Sequence, residues 1–242
     1  LRVAHVTDNP FHALGHVDFN PTSSPGDPDY GLMYIGSTDL GFSNGGGPNA
    51  SNPRSTQRLD SIVATILRID PRSPSESGGT KGVGDYTIPE INQYAADGDP
   101  NTLGEIYASG FRNPHRLSWD MEDGTMFALD IGMTHIEEVN IVREGLNYGW
   151  MRREGYFDNG VNINGNLDVV FTLPPEILDG SRVDRFTYPV AQYDHDEGVA
   201  ITNGYAYRGV ISALHGKFVY GDLQRGRLFS SDIDALHAAD DG

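Results

Sequence analysis

The chain contains no cysteine. This absence excludes disulfide bonds, a thiol nucleophile and thiolate metal sites. Cysteine-free chains occur both inside the cytoplasm and outside it, so cysteine usage leaves the compartment open.

Positive charge is also scarce. The chain has 17 Lys and Arg residues against 34 Asp and Glu residues, which gives a formal net charge of −17 at pH 7. Phosphate binding draws on clustered Lys and Arg, so this balance argues against nucleic acid and against anionic membrane surfaces as partners. Cations and neutral polar ligands remain.

Two further features are missing from the sequence. No apolar run approaches the ~18 residues that a membrane span requires. The N-terminal segment LRVAHVTDNPF has neither an initiating Met nor the pattern of a signal peptide. We therefore predict no membrane span and expect the chain to begin within a longer protein.

Glycine and proline are plentiful, with 30 and 14 residues spread along the chain, and they indicate many short elements joined by turns. The best candidate helix is STQRLDSIVATIL, residues 55–67, where Leu59, Ile62, Val63 and Ile66 recur at helical spacing. Elsewhere the patterns favour strands. SPSESGGTKGVGD, residues 73–85, does not fit a phosphate-binding loop and is interpreted as a flexible insertion.

Three strand segments share one template. Each has a turn glycine, a short apolar run and then Asp, and each is followed by a second apolar run; they are GLMYIGSTD from Gly31, GTMFALD from Gly124 and GKFVYGD from Gly216. The spacing is even, at 93 residues from 31 to 124 and 92 residues from 124 to 216. A repeated strand-turn-strand unit predicts a β-propeller or another radial β array. The alternative is that any all-β protein produces such runs.

Several longer motifs resemble one family. They are HALGHVDFNP, STDLG, ILRIDP, GFRNPHRLSWD, DIGMTHIEEVN, GLNYGW, NGYAYRG and GKFVYGDLQRGRLF. In this order they are similar to the soluble quinoprotein sugar dehydrogenases, the glucose/sorbosone dehydrogenase family. The resemblance implies an all-β, six-bladed β-propeller that uses pyrroloquinoline quinone (PQQ) and Ca²⁺ to oxidise aldose sugars. A single domain over residues 1–242 would then supply about four blades and be incomplete at both ends.

The resemblance also implies the catalytic residues. His12 occupies the position of the family's general base, and neutral imidazole suits that task near neutral pH. Asp39 matches the carboxylate that orients it. Arg112 and Asn113, before Pro114, match residues that contact the quinone, where a guanidinium stabilises developing negative charge.

Purely structural roles are the alternative interpretation of these residues. His12 could be a loop histidine bonded to backbone, and Arg112 could pair with a surface carboxylate. His12 and His16 also stand four residues apart, as in zinc proteases. The pattern HALGH lacks the glutamate of HExxH, and Gly15 makes a zinc-binding helix a poor interpretation.

Calcium ligands follow from the same resemblance. The carbonyl oxygens of Gly132 and Met133 would hold the ion that also contacts PQQ, and Glu137, Glu138 and the carbonyl of Tyr148 would hold a structural calcium. On a regular strand Glu137 and Glu138 point to opposite faces, so both reach one ion only if the backbone bends. The alternative leaves one glutamate in solvent and the other capping a turn.

One departure from the family affects the cofactor. A lysine that pairs with the PQQ carboxylates falls on Gln224, and Arg225 or Arg227 would have to replace its charge.

YDHDEG, residues 193–198, is interpreted as an exposed turn, with cation binding as the alternative. Trp119 and Trp150 are predicted to pack between blades.

The leading interpretation is calcium- and PQQ-dependent oxidation of an aldose, with electrons leaving to an external acceptor such as a cytochrome or a quinone. By family resemblance the protein would be periplasmic or secreted. The alternative is a non-catalytic, calcium-stabilised propeller that binds a protein or glycan, as in the Hedgehog-interacting-protein-like branch, which carries a similar Asp-x-Gly…Glu-Glu pattern.

Overall fold

A computed structural model describes residues 12, 14–40, 55–82, 84–161, 167–169 and 186–242. This part of the chain is mostly β, with sixteen strands and two short α-helices. The strands are β1 (Leu14–Phe19), β2 (Met33–Ser37), β3 (Thr65–Ile69), β4 (Thr80–Lys81), β5 (Thr87–Ile88), β6 (Ile106–Ser109), β7 (Pro114–Trp119), β8 (Met126–Asp130), β9 (Ile136–Ile141), β10 (Arg153–Glu154), β11 (Phe157–Val161), β12 (Leu167–Val169), β13 (Ala191–Asp194), β14 (Ile201–Tyr207), β15 (Lys217–Asp222) and β16 (Leu228–Asp232), and the helices are α1 (Pro74–Ser77) and α2 (Ile233–Ala239).

Three antiparallel sheets carry most of the strands. Sheet I has the order β1-β2-β3-β6, sheet II has the order β7-β8-β9-β13, and sheet III has the order β14-β15-β16. Each begins with a three-strand meander, in which consecutive strands pair. Smaller sheets are formed by β10-β11-β12 and by β4-β5.

The predicted strand-turn-strand repeat is confirmed. The middle strands of the three meanders are β2, β8 and β15, and the second apolar runs form β3, β9 and β16. The turn glycines Gly31, Gly124 and Gly216 have φ of 77°, 79° and 77°. This left-handed backbone is strained for residues with a Cβ, so glycine at the even spacing marks the same turn in each sheet.

Sheets I and II approach each other closely. A Cβ on Gly36 of β2 or on Gly15 of β1 would lie 2.5 Å or 2.8 Å from the carbonyl oxygen of Pro114, at the start of β7. Such distances are too short for a side chain, so glycine permits this contact. The link from β6 to β7, residues 110–113, therefore crosses between sheets that nearly touch.

Aromatic clusters fill the spaces between the sheets. Phe127 of sheet II stacks on Phe218 of sheet III, with ring centroids 4.4 Å apart. Between sheets I and II, Trp119 lies against Tyr34 at 5.5 Å, in a cluster that includes Phe111. The predicted packing of Trp119 between sheets is confirmed.

The predicted helix over residues 55–67 is wrong. A 3₁₀ turn forms at Ser55–Gln57, and the apolar residues from Thr65 onward form β3. All residues of β3 are buried because it is an inner strand of sheet I, between β2 and β6. A strand buried on both faces has a continuous apolar run, which mimics a helical stripe over short windows.

The interpretation of residues 73–85 as a flexible insertion is also corrected. Ser73 and Glu76 form a capping box for α1, and β4 pairs with β5. The side chain of Thr87 in β5 bonds to the carbonyl oxygen of Arg72 at 2.9 Å, which ties this hairpin to the end of sheet I. Val83 lies outside the described residues.

Among the described residues, none of the helices has the length and apolar character that a membrane crossing requires.

An ion pair joins sheets II and III at the end of β7. The buried carboxylate of Asp120 accepts hydrogen bonds from Nε and Nη2 of Arg208, which follows β14. Burial alone would raise the pKa of Asp120, but the Arg208 guanidinium and the N–H of Glu122 lower that pKa below its ordinary value of 3.8. A group with a lowered folded pKa stabilises the fold above its unfolded pKa, and this stability is lost as the pH falls through the folded pKa.

We expect Asp120→Asn to lower the free energy of unfolding by about 2 kcal/mol at neutral pH, because a charge-assisted pair is lost. Below about pH 4 the difference from the wild type should shrink. Urea unfolding across pH measures both effects. The control is Glu122→Gln, since Glu122 contacts the same arginine with its side chain 63% exposed. An equal loss in this control would contradict the role given to burial.

Candidate functional site

The predicted catalytic residues lie together at one end of sheets I and II. His12 precedes β1, Asp39 follows β2, Arg112 follows β6, and Gly132 follows β8. Because neighbouring strands are antiparallel, these segments meet at the same ends of the sheets. We call His12, Asp39, Arg112 and Gly132 the His12 group.

Asp39 holds the imidazole of His12. The Nδ1 atom of His12 lies 2.6 Å from Oδ1 of Asp39, and both side chains are buried. Oδ2 of the same carboxylate accepts a bond of 3.3 Å from the indole N–H of Trp150. A carboxylate at Nδ1 favours the tautomer with its proton on that nitrogen, which leaves the lone pair on Nε2.

Arg112 connects the imidazole to a pair of backbone carbonyls. Its Nη2 atom lies 3.4 Å from Nε2 of His12. Its Nη1 atom donates to the carbonyl oxygens of Ile131 at 2.9 Å and Gly132 at 2.6 Å. The guanidinium also lies 5.7 Å above the ring of Trp150, within the range of a cation–π contact. The structure thus brings the whole His12 group together in one chain of contacts.

The carbonyl groups of Ile131 and Gly132 can be compared with the predicted calcium ligands. The oxygens of Ile131 and Gly132 converge on one atom, Nη1 of Arg112, as hard oxygen donors around a cation do. These donors suit Ca²⁺ in chemical type and direction. A calcium ion on the Gly132 oxygen would have to replace the guanidinium there, because two cations repel at such a distance.

Asp130, which the sequence analysis did not assign, fixes the backbone at Arg112. Its carboxyl oxygens accept the backbone N–H groups of Arg112 and Asn113. Burial, and next the charge of Glu138, raise the pKa of Asp130 well above its ordinary value, although the bonds at Arg112 and Asn113 oppose this shift. The sequence signals were its place at the end of a repeated strand and at the start of the motif DIGMTHIEEVN.

Glu137 and Glu138 point to opposite faces of β9. Oε1 of Glu137 lies 2.8 Å from Nε2 of His195, and its Oε2 accepts the N–H of Ile201 at 2.8 Å. Oε1 of Glu138 instead accepts the N–H of Gly155 at 2.6 Å. The pairing of β9 with both neighbouring strands has no register shift, and the two carboxylates have different partners, so they do not converge.

Metal ligation by side chains alone finds no support in the described ranges. No group of three or more His, Asp or Glu side chains there is arranged to hold an ion. Glu138 is buried beside Glu154, and burial, with the charges of Glu154 and Glu137, raises the pKa of Glu138 to about 7. The protonated, uncharged form of Glu138 is therefore favoured in mildly acidic solution.

A second unassigned carboxylate, Glu154, holds the loop that precedes β9. Its Oε1 atom accepts the four successive backbone N–H groups of residues 133–136, at 2.9 to 3.1 Å. Its Oε2 atom is buried and has no hydrogen-bond partner among the described residues. Glu154 thereby fixes the loop that carries Gly132 and Met133, and no motif in the sequence pointed to it.

The other predicted site residues lie nearby or in the core. Gln224 and Arg225 are exposed on the turn between β15 and β16, at the same end of the sheets, and the N–H of Arg225 donates to Asp222. The ring of Tyr148 is buried and stacks on Phe111 at 4.5 Å. Trp150 packs against the His12 group, where it contacts Asp39 and Arg112.

The turn at residues 193–198 is exposed only in part. Asp194, Asp196 and Glu197 are exposed, as predicted, but Tyr193 is buried and donates its hydroxyl to Asp222. His195 pairs with Glu137, and this hydrogen bond is the largest of the effects that raise the pKa of His195. The turn therefore joins sheet II to sheet III at the site end.

We expect Glu154→Ala to lower the free energy of unfolding by about 2 to 4 kcal/mol, because four N–H groups lose their acceptor. Glu154→Gln keeps an acceptor oxygen and should retain most of the stability. Urea unfolding, with amide exchange at residues 133–136, measures the difference. Glu197→Ala, at an exposed carboxylate, is the control, and equal losses for Ala and Gln at position 154 would contradict this role.

Comparison with known proteins identifies relatives. A family model described as Glucose / Sorbosone dehydrogenase matches residues 50–241. The HIPL2 protein of Arabidopsis thaliana is 32% identical over 212 residues, which cover 83% of this chain and 28% of the plant protein. This chain therefore spans less than a third of that relative.

Solved structures of low identity share the fold. The PQQ-bound aldose sugar dehydrogenase from Streptomyces coelicolor matches with a TM-score of 0.54 at 21% identity, over 90% of this chain and 44% of that one. The apo-form of the soluble aldose sugar dehydrogenase from Escherichia coli matches with a TM-score of 0.55 at 20% identity, over 84% of this chain and 48% of that one. This chain spans less than half of each.

Proposed function

Because the chain belongs to the glucose/sorbosone dehydrogenase family, we propose that it is part of a calcium- and PQQ-dependent enzyme that oxidises an aldose at its anomeric carbon. Sheets I, II and III would be blades of a six-bladed propeller, of which this chain supplies about four. The protein would act in the periplasm or outside the cell, and an external cytochrome or quinone would take its electrons.

The geometry of His12 supports this proposal most directly. Its Nδ1 side is held by Asp39 at 2.6 Å, while Arg112 lies 3.4 Å from Nε2. A base held in one tautomer by a carboxylate can accept the proton of a sugar hydroxyl at Nε2. Asp39 then stabilises the imidazolium that forms, as the carboxylate of a catalytic triad does.

Arg112 has the second role in this proposal. When bound, PQQ would supply the acceptor for the hydride, and Ca²⁺ would polarise its carbonyl group. The guanidinium of Arg112 stabilises negative charge that develops on the acceptor, and Asn113 adds a polar contact. Gln224 and Arg225, on their exposed turn, would face the carboxylates of the cofactor.

Calcium ligation in this proposal involves backbone oxygens. The carbonyls of Gly132 and Met133 would hold one ion, and Glu137, Glu138 and the carbonyl of Tyr148 would serve a structural ion. Since Arg112 donates to Gly132 at 2.6 Å, binding of the first ion requires the guanidinium to leave this oxygen.

A second candidate function has its own support. The hydrogen bonds from Arg112 satisfy the carbonyl oxygens of Ile131 and Gly132 without any metal ion. Gln224 lacks the positive charge of a lysine. These features suit a propeller that binds a protein or glycan and has no redox activity. The curated relative HIPL2 is consistent with either function, because its name states none.

Activity of the reconstituted full-length protein separates the two functions. With PQQ, Ca²⁺, a dye acceptor and a panel of aldoses, we expect reduction of the dye by the wild type. His12→Ala should lower kcat by about 10²- to 10⁴-fold, since the general base is lost. The exposed His215→Ala is the matched control and should keep the wild-type rate.

Binding of PQQ, followed by its absorbance, completes the test. A wild type that binds PQQ but oxidises none of the aldoses would contradict the enzymatic proposal. Equal rates for the wild type and His12→Ala would reject His12 as the base while leaving the family assignment intact.

A further inference from the structure

A cavity lies between sheets I and II, at the ends of the strands opposite to the His12 group. Its volume is about 430 Å³, and its lining includes Tyr34, Arg68, Tyr107, Trp119 and Thr125. Cavities that hold small molecules in proteins range from roughly 300 to 1,000 Å³. This space is therefore large enough for a sugar ring or a short sugar chain.

The cavity and the His12 group occupy opposite ends of shared strands. Tyr34 and Asp39 lie at the two ends of β2, and Tyr107 and Arg112 lie at the two ends of β6. Five residues of extended chain separate each pair by about 16 Å. No residue of the cavity lining belongs to the His12 group, so variants can test the two places separately.

Aromatic side chains form a rigid wall. The ring of Tyr34 meets Tyr107 edge-on at 5.3 Å and Trp119 edge-on at 5.5 Å. The guanidinium of Arg68 lies over the ring of Tyr107 at 4.7 Å. The rings of Tyr34 and Trp119 are buried and shape the wall, while the surface that the cavity exposes is mainly polar. Such a lining suits a ligand rich in hydroxyl groups.

Several polar groups of the wall have no hydrogen-bond partner in the part of the chain that the structure describes. The indole N–H of Trp119 and the hydroxyls of Tyr107 and Thr125 make no hydrogen bond to any other described residue. Arg68, whose side chain is only 6% exposed, donates through Nε to Asn92 and through Nη2 to Ile91 and Glu144. Arg68 also forms a side-chain hydrogen bond with Tyr34, so it shapes the wall and does not serve as a free donor. The wall therefore offers donors to a ligand rich in oxygen acceptors.

The charges around the cavity select a neutral ligand. Asp29 already accepts bonds from Asn20, Ser23 and Tyr34, and Glu144 accepts from Arg68 and Gln93. Asp123 accepts the N–H of Thr125 and lies 3.2 Å from Nε2 of His237, and the other cation of the lining, Arg143, is paired with Asp240. These carboxylates are satisfied by their neighbours and need no cationic ligand. Their negative charge, within a chain of net charge −17, disfavours an anion.

We propose that this cavity is a second binding site, for a neutral mono- or disaccharide, which accepts hydrogen bonds from Trp119, Tyr107 and Thr125. The site goes beyond the proposed oxidation and does not depend on it. Its ligand needs no free anomeric hydroxyl, because none of these groups performs chemistry.

The chain has two tryptophans, Trp119 in the cavity lining and Trp150 in contact with the His12 group. In Trp150→Phe, indole fluorescence therefore reports on the cavity alone, and in Trp119→Phe it reports on the His12 group alone. Methyl glycosides of glucose, galactose and mannose are the probes, because they lack the anomeric hydroxyl that the proposed enzyme oxidises. We expect a saturable change in Trp150→Phe with a Kd on the order of 1 mM.

Substitutions in the cavity test the contacts. Tyr107→Phe and Thr125→Val each remove one hydroxyl and keep the side-chain shape, so each should weaken binding about three- to tenfold. Tyr205→Phe, on β14 with its side chain exposed, is the matched control and should bind as before. Saturation-transfer NMR on the unsubstituted protein gives the same comparison if Trp150→Phe does not fold.

Three outcomes would overturn the proposal. The first is an absence of saturable binding by any of the neutral glycosides. The second is preferential binding of gluconate or inorganic phosphate, which would indicate an anion site. The third is binding that His12→Gln abolishes and Tyr107→Phe leaves unchanged, which would place the sugar in the His12 group.

Discussion

The geometry of the site depends on how the link between sheets I and II is held in place. Residues 110–113 lead from β6 of sheet I to β7 of sheet II, and both sheets bind this link. Asp130, at the end of β8, accepts the N–H groups of Arg112 and Asn113, while the N–H of Asp39 donates to the carbonyl of Arg112 at 2.7 Å. With its backbone held on both sides, Arg112 can reach His12 and Gly132 at once.

Buried acids surround this link, and their electrostatic cost shapes the site. Asp130, Glu138 and Glu154 are buried close together, and burial raises the pKa of both Asp130 and Glu138. Backbone N–H groups compensate, most of all at Glu154, whose Oε1 accepts four of them. The same negative surroundings favour a cation near Gly132, a place that the Arg112 guanidinium takes in this structure.

The two ends of the strands differ in their side chains. At one end, buried ionisable groups contact one another directly, and the arrangement suits proton transfer. At the other end, hydrogen-bond donors that lack partners among the described residues line an open space beside buried aromatic rings, and the arrangement suits binding of a polar ligand. Rigid strands such as β2 and β6 connect these ends, so the spacing between them is fixed by the sheet itself.

The sequence by itself determined the repeat, the all-β class and the family, because turn glycines, short apolar runs and motifs such as GFRNPHRLSWD are local properties of the chain. It also indicated His12, Asp39 and Arg112, which the structure brings together. Only the tertiary structure decided that residues 65–69 form a strand, that Glu137 and Glu138 face different partners, and that Asp130 and Glu154 hold the site. These outcomes arise from contacts between residues far apart in sequence, where burial overrides local preference.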